Sequence, residues 1–492
     1  METNLIVEDI RLVQGQLWLS KMKEVYKVDQ ICPWISSFHP NKLPCKIMGK
    51  KIYRGSFNWG MKVVFSDGTA WLVRFPRGGR ISQDVIDEKV AMEVTTLRLL
   101  RSQTTIPVPT VHAWGLSARN PLGTGPFIMM DFIEGKSLLD ILIDQDDEHP
   151  TRLMREDISR DDVKKIYRQM ANFMLQMYQI DFDRIGSLPW PENEGTSLPR
   201  PLTFKAHEIG ATGGVDVFGD RTKGFETTDE YLKHLAEENW EQLRRQPNSV
   251  ANRHHAEKQY RACQMIKGLV ETGDFTNQKY NTGKFKLICD DLGLANLIVR
   301  SETDLTVVGV IDLEWSYAGP AQIAGSAPYW LLQDRPTNGD WDYEDGQPSR
   351  AANRYFDHLD LYLDILKEEE AKVPEYGHEL SDMIQWSQKS GAMWLHMLLA
   401  VGFGHDGTQT FPFAKLRQHV GETQWARREQ EFKGPMMAAF GAWKENEVRR
   451  YNGDLWEMRK SMEKVERKEM TSQEFLDWAF DMHREKGYWL PS

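Results

Sequence analysis

Between residues 285 and 315, three short apolar runs alternate with acids and an amide. The runs are Phe285-Lys-Leu-Ile-Cys289, Leu297-Ile-Val-Arg300 and Thr306-Val-Val-Gly-Val-Ile311. Each has strand length and is rich in β-branched or bulky apolar residues. The pattern places Asp291 and Asn296 on one loop between two strands, and Asp312 at the end of a third, about twenty residues on. Asp and Asn are favoured in ordinary turns, so the first two alone fit a plain connection. With Asp312 added, the set suits phosphoryl transfer from a nucleotide. One carboxylate orients an attacking hydroxyl and accepts its proton; an amide and a second carboxylate hold a magnesium ion that bridges the phosphates.

A second strand-rich region lies upstream. Lys51-Ile-Tyr-Arg54, Met61-Lys-Val-Val-Phe65 and Ala70-Trp-Leu-Val-Arg-Phe75 read as three strands. Gly55-Ser-Phe-Asn-Trp-Gly60 is a glycine-bounded loop, which serves equally as a hairpin connection or a phosphate cradle. Ser66-Asp-Gly-Thr69 is a tight hairpin, because Asp-Gly supplies the positive φ values that such a turn needs. Val90, Val94, Leu97 and Leu100 then fall at helical spacing. Ile106-Pro-Val-Pro109 is extended, since each proline biases its predecessor away from helix. Phe127-Ile-Met-Met130 is an apolar strand, and Asp131-Phe-Ile-Glu-Gly135 after it has the composition of a hinge.

Elsewhere the pattern is mostly helical. Asp162 to about Asp181 and Thr228 to Gln246 are helical, and Leu202 to Asp220 is glycine-rich and irregular. The chain from about Leu359 onward is helical and charged, with Glu445 to Lys468 expected as a solvated helix face with i,i+4 pairs. Met393 to Phe403 is too short for a membrane span and reads as a buried helix; no stretch reaches the roughly 18 apolar residues a span needs. The first 45 residues mix a helical pattern with a coil around Pro33, and their early acids do not suit a secretory signal.

Asp291-Leu-Gly-Leu-Ala-Asn296 followed by Gly309-Val-Ile-Asp-Leu-Glu314 resembles the aminoglycoside phosphotransferase and choline kinase-like superfamily. In that family a catalytic loop His-x-Asp-x-x-x-x-Asn precedes a metal-binding acid in an Ile-Asp-Trp/Phe-Glu context. The likeness extends over about residues 50 to 335 and takes in Gly55 to Phe75, Glu93, Ile106 to Pro109 and Phe127 to Gly135. The order of these features is most similar to the fungal branch of the family. The resemblance implies an α+β, bilobed, protein-kinase-like fold with a small antiparallel-sheet N-lobe and a large, mainly helical C-lobe.

It also implies roles. Asp291 is the expected catalytic base, and Asn296 and Asp312 the expected magnesium ligands. Gly55, Ser56, Phe57 and Asn58 would cover the nucleotide phosphates. Arg74 would contact the phosphates and pair with Glu93. Met130, Asp131, Phe132 and Ile133 would hold the adenine through their backbone. ATP and Mg2+ are the implied cofactors, although GTP is compatible. The implied activity is transfer of the γ-phosphoryl group to a hydroxyl of a small molecule. A pseudokinase or scaffold that binds nucleotide without transferring phosphate is the alternative.

Three positions depart from the family pattern. Cys289 stands where the catalytic-loop histidine is usual. Arg74 replaces the phosphate-binding lysine, keeping the charge but not the ammonium geometry. Gly319-Pro-Ala-Gln-Ile-Ala-Gly325 lacks an acid that relatives often carry after Gly-Pro. No Ala-Pro-Glu segment follows Asp312, which disfavours a protein kinase.

Composition narrows the remaining classes. With 61 Lys and Arg against 72 Asp and Glu, the net charge of -11 does not suit a nucleic-acid partner. Cys32, Cys45, Cys263 and Cys289 have no disulfide or zinc spacing, so a reducing, cytoplasmic setting is expected, with no membrane partner. Cys289 is expected to be a small buried residue rather than a nucleophile, since Asp290 and Asp291 beside it oppose thiolate formation. The expected divisions are an N-terminal extension (1–45), a nucleotide-binding N-lobe (46–132), a C-lobe core with the catalytic and metal loops (133–345) and a helical C-terminal part (346–492).

Overall fold

A computed structural model describes residues 3–27, 30–49, 52–143, 152–190, 199–336, 341, 348–401 and 410–486. It has the α+β, two-lobed, kinase-like arrangement expected from the sequence. The small lobe is built on strands β1 (Cys45–Ile47), β2 (Tyr53–Arg54), β3 (Asn58–Phe65), β4 (Ala70–Pro76), β5 (Val111–Gly115) and β6 (Phe127–Asp131). They form one antiparallel sheet in the order β1-β3-β4-β6-β5, with β2 added to β3. The Asp67-Gly68 turn joins β3 to β4 as expected: Gly68 has φ +89°, and the Thr69 amide donates to Asp67 Oδ1 at 2.9 Å. This turn sets the register Val63↔Trp71, Met61↔Val73 and Trp59↔Phe75. Because side chains alternate along a strand, those residues share one face and Leu72 and Arg74 share the other.

Both faces are covered. Helices α1 (Leu5–Lys27) and α2 (Ile31–Ser36) lay Met22, Val25, Ile31 and Ile35 on the Trp71, Val73 and Phe75 face. Helix α3 (Gln83–Gln103), N-capped by Ser82, lies on the other side, where its Val90, Val94, Leu97 and Leu100 meet Ile128 and Met130 of β6. The first 45 residues therefore complete the N-lobe core. They also reach the far end of the chain, since Ile6, Ile10 and Val13 of α1 pack with Tyr451, Met458, Phe475 and Leu476.

The chain passes into the large lobe at Gly135, whose φ of +153° leaves no room for a side chain: a Cβ would collide with the Val299 carbonyl. Two small antiparallel sheets follow. One runs β8 (Asp181–Phe182), β10 (Phe285–Cys289), β13 (Ser316–Gly319), β9 (Gly186–Ser187); the other runs β12 (Val307–Val310), β11 (Leu297–Val299), β7 (Lys136–Ser137). Around them lie α4 (Leu138–Leu142), α5 (Arg160–Tyr178), α6 (Phe204–Glu208), α7 (Thr228–Arg245), α8 (Arg253–Glu271) and α9 (Ala321–Ala324). The helical remainder is α10 (Arg350–Glu370), α11 (Glu379–Lys389), α12 (Ala392–Leu399), α13 (Phe411–Val420), α14 (Glu422–Glu431), α15 (Pro435–Glu466) and α16 (Ser472–Lys486).

Two expectations change on contact with the tertiary structure. The irregular stretch 202–220 contains α6, N-capped by Thr203, and a π-turn over Ile209–Gly213. Helix α15 is not solvated all round, because Lys444, Glu447, Tyr451 and Met458 are buried. Its charge-rich sequence masks a narrow apolar stripe that only packing reveals. Met393 to Leu399 is buried along its whole length as α12, and among the described residues no helix is long and apolar enough to cross a membrane.

Candidate active site

Strand pairing brings the three oxygen-bearing side chains together. β10 pairs with β13 through Cys289↔Ser316, and β11 pairs with β12 through Leu297↔Val310. Asn296 thus sits opposite the residue preceding Asp312, and the Ile311 amide donates to the Asn296 carbonyl at 3.0 Å. The Asn296 side chain reaches the other way, and its Nδ2 donates to the Asp291 carbonyl at 2.7 Å. Asp291, Asn296 and Asp312 therefore lie side by side where the two lobes meet. Asp312 has φ +55° and Trp315 φ +63°. A left-handed backbone at a non-glycine residue costs about 1–3 kcal/mol and persists where the surroundings enforce it. Here it turns the Asp312 carboxylate off the end of β12 toward the small lobe.

Asp291 opens onto the cleft with 42% of its side chain exposed. Burial of the rest pushes its carboxyl up to about 6, with Glu314, Asp312 and Asp290 adding to the rise and Arg335 opposing it. Asp290 points inward, accepting from the Phe204 amide at 3.0 Å and the Tyr317 hydroxyl at 3.1 Å; burial pushes it to about 6 as well. An acid held near neutrality and facing a cleft has the properties required of a general base.

The donor set fits a metal that brings its own phosphate ligands. Asn296 spends its amide N–H on Asp291 and keeps Oδ1; Asp312 gives Oδ1 to Arg74 at 2.5 Å and keeps Oδ2. Two hard oxygens match magnesium, which takes one or two protein ligands beside nucleotide phosphates and water. Among the described residues no group of three or more His, Cys, Asp and Glu could hold a metal unaided.

The small lobe presents a paired charge network. Arg74 on β4 ion-pairs with Glu93 on α3 and with Asp312. Lys89, one turn before Glu93, ion-pairs with Glu314, which also accepts from Asn58 Nδ2 at 2.8 Å. Lys89, Glu93 and Glu314 are all 3% exposed or less. Burial raises Glu93 despite its arginine. Burial also opposes ionisation of Glu314, but Lys89 and Arg74 outweigh it and hold the carboxyl low. For Arg74, the surrounding carboxylates outweigh burial and keep the guanidinium charged.

The loop joining β2 to β3 is shorter than the expected Gly55–Gly60, because β3 begins at Asn58, and Arg77 Nη1 donates to the Gly55 and Ser56 carbonyls at 2.9 and 3.3 Å. Phe57 packs edge-on against Phe204, His207 and Trp315, which ties the loop to α6 of the large lobe. Asn58 is turned to Glu314 and away from the loop's concave side. In the hinge, Met130 is buried in the sheet, the Asp131 amide donates to Thr110 and the Phe132 amide to Ala70. Those two amides serve the sheet and are not available to a ligand. Asp131 accepts from the Thr110 amide and pairs with His112, Lys62 sits over the Phe132 ring at 4.1 Å, and Ile133 packs on Gly309.

Cys289 packs against the main core and accepts from the Ser316 hydroxyl at 2.9 Å; burial pushes its thiol up to about 12. Sequence reading gave no role to Lys89, Asp290, Phe204, Tyr329 or Arg335. Lys89 had a signal, because two charges at i and i+4 in the apolar face of α3 need partners. Arg335 had none, because it reaches Asp291 across 44 residues of chain.

No family profile matches the chain. Clavilactone A biosynthesis cluster protein Y of Ampulloclitocybe clavipes is 25% identical over 305 residues, 59% of this chain and 66% of that protein. The Altered inheritance of mitochondria protein 9, mitochondrial, of Debaryomyces hansenii is 31% identical over 168 residues, 32% of this chain and 25% of that protein. The chain thus spans less than two thirds of the former and about a quarter of the latter. A putative aminoglycoside phosphotransferase from Ralstonia eutropha JMP134 matches with TM-score 0.39 at 12% identity, over 84% of this chain and 97% of its own. A putative fructosamine-3-kinase from Thermobifida fusca matches with TM-score 0.37 at 14% identity, over 79% and 95%.

Proposed function

We propose that this chain is a small-molecule kinase of the aminoglycoside phosphotransferase and choline kinase-like superfamily, transferring the γ-phosphoryl group of ATP to a hydroxyl. The observation that carries the reading is the convergence of Asp291, Asn296 and Asp312, with Asn296 hydrogen-bonded to the Asp291 carbonyl and to the Ile311 amide next to Asp312. Asp291 orients the acceptor hydroxyl and takes its proton as the oxygen attacks phosphorus. Asn296 Oδ1 and Asp312 Oδ2 would hold the magnesium, which when bound neutralises phosphate charge and fixes the phosphates in line. Arg74 stands beside Asp312, close enough to contact the same phosphates. The loop Gly55 to Asn58 covers them, and the Met130 to Ile133 segment receives the base. The acceptor enters from the large-lobe side, past α6. The four free thiols suit a reducing cytoplasm.

Thermal-shift titration with MgATP, followed by product detection against a library of small alcohols, tests the reading. Metal-dependent stabilisation that Asp312→Ala abolishes, together with phosphorylated product, is the expected result. Binding that needs no metal, with no turnover against any hydroxyl, favours the pseudokinase instead.

A further inference from the structure

The catalytic loop from Asp290 to Asn296 contains no cation of its own. Transfer of a phosphoryl group spreads negative charge over its peripheral oxygens, and donors fixed where that charge develops are the main source of rate enhancement. The nearby cations are mostly committed. Arg74 holds Glu93 and Asp312, Lys89 holds Glu314, Lys205 holds Glu238, and Arg77 binds two loop carbonyls.

Arg335 differs. Its guanidinium is stacked on the Tyr329 ring, 4.5 Å from the centroid, with the Phe204 ring at 5.6 Å on α6. Among the described residues it donates to the Asp290 carbonyl at 3.2 Å and lies 3.9 Å from Asp291 Oδ1, a loose ion pair. Tyr329 is itself anchored, donating to the Asp290 carbonyl at 2.9 Å and the Leu292 carbonyl at 3.3 Å. A guanidinium carries five N–H donors, and 24% of this side chain is exposed, beside the expected base. The aromatic platform fixes its plane, so little rotamer freedom remains to be lost when an oxygen ligand arrives.

We infer that Arg335 is a catalytic residue that donates to the transferring phosphoryl oxygens, supplying the cation that the catalytic loop lacks. This rests on the kinase reading above. In the step, an acceptor oxygen lone pair forms the new bond to the γ-phosphorus, and the bond to the β,γ-bridging oxygen breaks with its electron pair passing to ADP. The acceptor proton goes to Asp291. Arg335 binds the equatorial oxygens throughout and exchanges no atoms.

Hydrolysis of MgATP by the full chain, with water as acceptor, tests the role without knowledge of the natural acceptor. Arg335→Met keeps the stacked stem and removes the donors; its kcat should fall about 100-fold, with the KM for MgATP unchanged. Arg335→Lys keeps the charge without the fork and should fall between the wild type and the Met variant, which also guards against misfolding of the latter. Unchanged kcat in both variants, or a rise in KM alone, overturns the role of Arg335 and leaves the kinase reading standing. A wild-type chain that neither hydrolyses MgATP nor phosphorylates any member of the alcohol library overturns both.

Discussion

The acids on the two sides of the cleft are treated differently. Glu93 and Glu314, which face the small lobe, are 1% and 3% exposed and each has a cation in contact. Asp290 and Asp291, on the loop after β10, have no ion pair among the described residues tighter than the 3.9 Å contact of Asp291 with Arg335, and burial pushes both up to about 6. The first pair holds the lobes in register, because Lys89 and Arg74 come from the small lobe while Glu314 and Asp312 come from the large one. The second pair is kept unsettled, which suits a group that must gain and lose a proton. The two sets thus differ in their charged partners rather than in the direction of every shift, since burial raises Glu93 too.

The largest effect that would sharpen this contrast is at Asp291. Asp291→Asn should lower phosphoryl transfer by about 10³-fold, yet raise the melting temperature near neutral pH, since it removes a charge that its surroundings disfavour. A lowered melting temperature would break the comparison. Lys89→Ala should do the reverse. It leaves Glu314 buried beside Asn58 without its cation and should cost about 3–5 kcal/mol in denaturant unfolding, while a loss under 1 kcal/mol would show that the network does not tie the lobes.

A smaller effect appears on titration. Asp291 acts as a base only when ionised, and its carboxyl lies above the usual 3.8 at about 6. The rate should therefore fall about tenfold per pH unit below that value, and a profile flat to pH 4.5 would exclude Asp291 as the base. Stability from Asp290 and Asp291 runs the opposite way. Their folded values exceed the unfolded ones, so the native state binds more protons between about 4 and 6, and their penalty eases as pH falls through that window. The smallest functional effect is expected at Cys289. With its thiol near 12, alkylation at pH 8 should be about a thousandfold slower than for a free cysteine; fast labelling with loss of activity would give it a chemical role after all.

Much of this site was legible before folding. The Asp67-Gly68 turn fixed β3 against β4, and therefore placed Arg74 on the opposite face from Val73 and Phe75. The short strands around Asp291, Asn296 and Asp312 were readable because local alternation and turn chemistry act over a few residues. Less was legible where the partner is remote. The π-turn after α6, the buried stripe of α15 and the double attachment of α1 depend on surfaces that lie hundreds of residues away in the chain.

The amino-acid sequence by itself determined the strands, the Asp-Gly turn, the amphipathic face of α3 and the spacing of the three oxygen ligands, because each follows from interactions within about ten residues. The tertiary structure alone decided that Glu314 is neutralised by Lys89, that Asp290 is buried on Phe204 and Tyr317 with no close ion pair, and that Arg335 stacks beside Asp291. The physical reason is that a charge's ionisation and reach are set by burial and by neighbours in space, and those neighbours come from separate elements that meet only in the folded chain.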